Sequence, residues 1–143
     1  MHSSFVNTKP RIRNLSFFQT NPMRSGILFL LGGGLYVVLE LFWRGRSHIS
    51  MFFAGGTALM LIGGLYRWFA QWPVFWLCAA GTLIITAVEF LAGAVVNVRL
   101  GLSVWDYSRL PCNLYGQICL RYSLAWFLLS VPAIGIAGFV YSI

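Results

Sequence analysis

Residues 72–98 read WPVFWLCAAGTLIITAVEFLAGAVVNV, an apolar run broken by a single carboxylate, Glu89. A bilayer core of about 30 Å is crossed by roughly 20 apolar residues in a helix, and this run exceeds that length. Three further runs, 26–43, 49–66 and 118–140, are of similar character. All are continuously apolar, with no period-2 alternation, so helices are expected and not a barrel. The expectation is an all-α membrane protein: a bundle of four transmembrane helices, with an interfacial loop before the last helix. Residues 1–24 form a basic, polar amino-terminal arm, and residues 25–143 the four-helix domain.

Composition supports this class. Of 143 residues, 59% are hydrophobic and 9% charged, against about 25% charged in a soluble domain. The net charge is +7. The basic residues are scattered over every loop with no recognition motif, so no nucleic-acid partner is expected. The partner is the lipid bilayer, and the setting a multi-pass protein of a cell membrane. Lys9, Arg11, Arg13 and Arg24 beside Phe5, Phe17 and Phe18 suit a contact between the arm and anionic lipid. The run after the arm is too long for a signal peptide and has no small-residue cleavage site. With four spans both termini share one side, which collects Lys9, Arg11, Arg13, Arg24 and Arg67. Arg44, Arg46, Arg99, Arg109 and Arg121 fall on the other, and this even division leaves the orientation open.

The chain has only three acidic residues, Glu40, Glu89 and Asp106, each inside or beside a span. A charged residue at the centre of an inserted helix costs roughly 2.5–3.5 kcal/mol on the insertion scale, so something must offset it. Thr82, Thr86, Glu89, Gly93 and Asn97 step by four, three, four and four, placing them on one helix face. That stripe is expected to face protein or a polar cavity. Gly33, Tyr36, Glu40, Arg44 and Ser47 form a similar face on the first span, with Glu40 and Arg44 in the favourable order for an ion pair. The match of VVLEL (37–41) to TAVEF (86–90) suggests a weak parallel duplication.

Glycines recur through the spans. Gly56 and Gly63 are expected to form a contact seam, and Gly32, Gly33 and Gly34 to loosen the first helix into a hinge. Cys78 reads as packing. A disulfide between Cys112 and Cys119 is a minor alternative, and neither His2 nor His48 shows metal-ligand spacing. No cofactor and no metal is expected.

The loop before the last span carries the most specific string, VWDYSRLPCNLYGQICL (104–120). Trp105 and Tyr107 suit the headgroup layer, and Asp106 and Arg109 are spaced to pair. Pro111 stops a helix, and Asn113 is placed to cap the next one. A folded, re-entrant plug meeting Glu89 is the functional reading.

At this string the chain resembles the Putative ABC-transporter type IV family of small bacterial membrane proteins, labelled permeases. The resemblance rests on AVEFLAG (87–93), WDYS (105–108), Pro111, Asn113 and Gly116, ICL (118–120), Ser123 and Trp126, and on Glu40, Trp43, Gly45 and Arg46 in the first span. The second span departs from the family pattern, reading SMFFAGG over 50–56. The resemblance implies transport, yet no ATP-binding loop motif is present.

The function expected is a transport or channel component with a carboxylate-lined polar site near one membrane face. It is built from Glu40, Arg44, Arg46, Glu89, Asn97, Trp105, Asp106, Tyr107, Arg109, Asn113 and Arg121. Four helices leave little room for a pore, so a homo-oligomer or a partner membrane subunit is implied. The alternatives are a membrane enzyme acting on a lipid-borne substrate, for which no catalytic motif is visible, and a structural or regulatory subunit.

Overall fold

A computed structural model describes residues 21–143, so the expected lipid contact of the arm lies almost wholly outside the described residues. Four helices follow in chain order: α1 (Pro22–Arg44), α2 (Ile49–Phe69), α3 (Val74–Gly93) and α4 (Leu120–Ser142). All four are long and apolar enough to cross a membrane. Short connections force neighbours in sequence to run antiparallel, so α1 and α3 point the same way.

Local chemistry sets the helix ends. Pro22 opens α1 behind Asn21, whose side chain accepts the Met23 N–H. The helix therefore takes in the last three residues of the segment read as arm. Gly45 closes α1 in the left-handed conformation, at φ 70°, and returns its N–H to Leu41. His48 is the N-cap of α2, accepting from Ser50 N. Past Gly93, α3 widens into a π-helical turn, Ala94–Arg99, a distortion common beside functional sites. The loop that follows folds over the end of the bundle and is pinned by a two-residue antiparallel ladder, β1 (Asn113–Leu114) with β2 (Ile118–Cys119).

The core is divided among the helices. Ala58, Ile62, Leu77, Cys78, Ile85 and Ile134 join α2, α3 and α4. Leu28, Leu59 and Val140 join α1 to α2 and α4. Met51, Val96 and Trp105 tie the loop to the bundle. Leucines and valines such as Leu30, Val38, Leu83 and Leu91 face outward, as lipid contact requires. Trp43 at one end, and Trp68, Trp72 and Trp76 at the other, are also exposed, where membrane interfaces favour tryptophan.

In α1, Gly32 and Gly33 pack against α2, whereas Gly34 meets open space. The helix is unbroken through Gly32, Gly33 and Gly34. A Cβ on Gly33 would meet the Phe52 backbone oxygen at 2.7 Å, and one on Gly56 the Phe29 oxygen at the same distance. Backbone contact this close admits only glycine. Gly63 packs on Leu28 and so continues the seam of Gly56 against α1.

Candidate functional site

The α3 stripe faces protein along its whole length. Thr82 Oγ1 bonds back to Cys78 O at 2.7 Å, and Thr86 Oγ1 meets Ser123 Oγ of α4 at 3.3 Å. Glu89 is 6% exposed. Its Oε1 accepts from the Tyr107 hydroxyl at 3.0 Å, and its Oε2 from Trp126 Nε1 at 2.8 Å. Asn97 donates to Gln117 Oε1 at 2.9 Å and accepts the Val104 N–H at 2.7 Å. Between them, Gly93 leaves room for the loop: a Cβ there would meet the Trp105 ring at 3.0 Å. Each polar group that lipid cannot satisfy thus has a partner on α4, in the loop or on its own helix.

Trp105 is an interior residue, a correction to its reading as a headgroup anchor, and Tyr107 is half-buried. Trp105 is 4% exposed and donates its indole N–H to Gln117 O at 2.9 Å. The Tyr107 ring stacks on Tyr122 at 4.6 Å, with planes 16° apart. Burial first, then the nearby Glu89 charge, holds the Tyr107 phenol protonated far above its ordinary range. It therefore remains a hydrogen-bond donor to Glu89.

Asp106, between the two rings in sequence, turns the other way. It is exposed and accepts from Ser108 N at 2.8 Å and Ser108 Oγ at 3.0 Å. These bonds, backbone first, lower its carboxyl below the ordinary range, with a smaller contribution from the Arg109 charge. No ion pair joins Asp106 to Arg109 among the described residues. Asn113 does not cap α4. It binds the loop to itself, donating to Leu110 O at 2.8 Å and Ser108 O at 3.2 Å and accepting from Gly116 N at 3.0 Å. The α4 N-cap is Cys119, which makes no side-chain cap bond. The cysteines Cys78, Cys112 and Cys119 are free.

On α1, Glu40 is 9% exposed and forms an ion pair through Oε1 with Arg44 Nη2. Its Oε2 is buried without a hydrogen-bond partner. Arg44 also donates to Val104 O at 3.4 Å, tying α1 to the loop. One turn back, Tyr36 stacks on Trp126 at 5.6 Å, so Trp126 touches Glu89 with its N–H and α1 with its ring.

A cleft of about 390 Å³ opens against this network, bordered by Tyr36, Glu40, Arg44, Tyr107, Tyr122 and Trp126. It lies between α1 and α4. A second, largely apolar hollow of about 270 Å³ follows the same crevice past Leu35, Leu39, Leu129 and Ala133. The two form one crevice, charged at one end and apolar along its length.

The expected residues therefore divide. Glu40, Arg44 and Tyr107 line the cleft, and Glu89 sits behind it, bonded to Tyr107 and Trp126, with Asn97, Trp105 and Asn113 as the framework around them. Arg46, Arg109 and Arg121 are exposed, and Arg44 is the arginine that pairs with Glu40. Gln117, Tyr122 and, except as part of a motif, Trp126 were missed as site residues. A signal existed on α4: Ser123, Trp126 and Ser130 recur three and four apart, a polar stripe matching that of α3. Gln117 is 7% exposed and has no such pattern. No group of three or more metal-ligating side chains occurs among the described residues.

No curated protein matches the chain, and no solved structure does. A family model does match, over residues 26–142, spanning all four helices, both glutamates and the loop. The chain belongs to the family described as Putative ABC-transporter type IV.

Proposed function

We propose that the chain is a substrate-handling component of a membrane transport system. Its site at the Arg44 end of the bundle receives the polar group of a substrate, and the α1–α4 cleft admits that substrate sideways from the bilayer. One observation carries this reading: an open cleft of about 390 Å³ is lined by the buried Glu40 with its partner Arg44 and by Tyr107 and Trp126, the two side chains that bond the buried Glu89 behind them. Carboxylates inside a membrane helix are costly, and apolar contacts would brace the bundle without them. Four helices enclose no pore, so the active form is a homo-oligomer or a complex with another membrane subunit. With no ATP-binding loop motif in this sequence, a partner or an ion gradient supplies the energy.

Proteoliposomes test the reading with two probes, a tail-labelled phospholipid and a proton-sensitive dye trapped inside. Wild-type protein is expected to speed at least one flux about tenfold over empty vesicles. Glu40→Gln and Glu89→Gln are expected to lose that flux while inserting normally. Wild-type flux equal to that of empty vesicles, or unchanged flux in both variants, refutes it.

A second reading, of a structural subunit, has its own observation: neutral donors already occupy both oxygens of Glu89, as in a packing brace. On that reading, Glu89→Gln leaves both stability and flux intact.

A further inference from the structure

The turn between α1 and α2 encloses a hollow that the carboxylate network does not use. It measures about 250 Å³ and is lined by Arg44, Arg46, Ser47 and His48, and by loop residues 102–104. No carboxylate lines it. Arg44 is committed to Glu40 and to Val104 O. Arg46 has no hydrogen-bond or ion-pair partner among the described residues, and its guanidinium offers five N–H donors in a planar fork. Ser47 lines the hollow as well, but its Oγ is buried away from it.

His48 adds a donor. Its Nδ1 lies 3.2 Å from Ser50 N, whose N–H it accepts, and 2.8 Å from Ser50 Oγ. An accepting Nδ1 puts the proton of the neutral ring on Nε2, leaving a second N–H on the ring's other side. The hollow also sits at the amino terminus of α2, a helix of 21 residues, where aligned peptide dipoles favour an anion.

From an unpaired guanidinium, an imidazole and a helix amino terminus around one cavity lined by two arginines and no carboxylate, we infer a binding site for a phosphate group. A phosphate offers more acceptor oxygens and more negative charge than a carboxylate, which suits a lining this rich in N–H donors. The cavity has room for an ester substituent. The same chemistry is offered by a phospholipid headgroup and by a free phosphorylated solute. This site is separate from the cleft described above and does not depend on the transport reading. Arg44 lines both hollows, so a ligand in one is felt in the other.

The test uses the full chain in a phosphate-free maltoside detergent and follows its thermal unfolding. Inorganic phosphate and glycerol 3-phosphate are titrated in one arm, with chloride matched for ionic strength. Short-chain phosphatidylglycerol is titrated in the other, with diacylglycerol as the phosphate-free control. A saturable rise in Tm is expected in at least one arm, and which arm responds identifies the source. Arg46→Gln is expected to weaken apparent affinity about tenfold or more, and Arg99→Gln, at an exposed arginine, to leave it unchanged. His48→Asn keeps a capping side chain for α2 and removes the Nε2 donor, so it reads the site if Arg46→Gln fails to fold. No saturable response to any phosphate compound, or equal affinity in Arg46→Gln and His48→Asn, overturns the inference.

Discussion

Replacing Glu89 separates charge from shape, because its two partners differ in what they can do. Trp126 Nε1–H only donates, whereas the Tyr107 hydroxyl both donates and accepts. In Glu89→Leu both donors lose their acceptor inside the protein. A buried donor left unpaired costs about 1–3 kcal/mol, which for two sets an upper figure near 6 kcal/mol. Hydrogen bonds measured within membranes average about 0.6 kcal/mol, which sets a lower figure of about 1 kcal/mol. Glu89→Gln behaves differently. The amide oxygen keeps the bond from Trp126, and the amide N–H donates to a Tyr107 hydroxyl that has turned to accept. Both contacts are kept, and the Tyr107 O–H alone loses the acceptor it had, so the expected cost is below that of Leu, about 1 kcal/mol. Reversible unfolding in mixed micelles, followed by tryptophan fluorescence, gives both values. Leu is expected to be clearly destabilised and Gln close to wild type. Equal destabilisation by the two would mean that charge, not hydrogen-bond satisfaction, holds Glu89 in place. A neutral Leu would mean that the Tyr107 and Trp126 bonds contribute nothing.

At the other carboxylate, Glu40→Gln strands the Arg44 guanidinium, and breaking a buried pair costs about 3–5 kcal/mol. Arg44 keeps 23% of its side-chain surface, so a smaller loss is expected, and the double variant Glu40→Gln/Arg44→Gln should regain part of it in the same unfolding assay. Cys112 is exposed while Cys78 and Cys119 are each 2% exposed. A membrane-impermeant maleimide added to intact cells or to inverted vesicles should therefore label Cys112 alone, from one side only, which assigns the orientation that the even arginine count leaves open. Asp106 has a lowered pKa, so its bonds to Ser108 are intact at and above the ordinary aspartate value of about 3.9. They are lost only as pH falls below that value, and hydrogen exchange at the Ser108 amide should be flat from pH 7 to 4 after correction for intrinsic rates. A rise in exchange near neutral pH would contradict the bonding described.

The four spans were legible because lipid-facing helices must be apolar on every exposed side, so length alone reveals them. Glu89 was legible for the opposite reason: a carboxylate in such a run needs a partner, and the spacing of Thr82, Thr86, Gly93 and Asn97 showed the side on which to look. The loop was harder. Trp105, Asp106 and Tyr107 are adjacent, and all three are at home in a headgroup layer. The fold turns two rings inward and the carboxylate outward, and composition does not reveal whether the inner side holds protein or lipid. Arg46, Arg109 and Arg121 were grouped with the carboxylates because they share a membrane face, but a shared depth does not bring long, solvated side chains into contact.

The two glutamates sit in similar local sequence on parallel helices, yet the fold satisfies them by different means. Arg44 lies one turn beyond Glu40, so an ion pair forms within α1 itself. Four residues beyond Glu89 stands Gly93, whose missing side chain lets Trp105 and Gln117 approach. Glu89 therefore takes its donors from Tyr107 in the loop and Trp126 on α4, and both donors are neutral. Protonating Glu40 would leave a guanidinium without its counter-charge, whereas protonating Glu89 would strand no positive group bonded to it. Of the two, Glu89 is the carboxylate whose charge can change without breaking an ion pair. It is also the one whose donors belong to separate parts of the chain, the loop and α4. Tyr107 and Trp126 both line the cleft and both bond Glu89. On the proposed reading, a substrate group in the cleft would touch the two donors of Glu89, and a shift of either donor would lengthen its bond to that carboxylate.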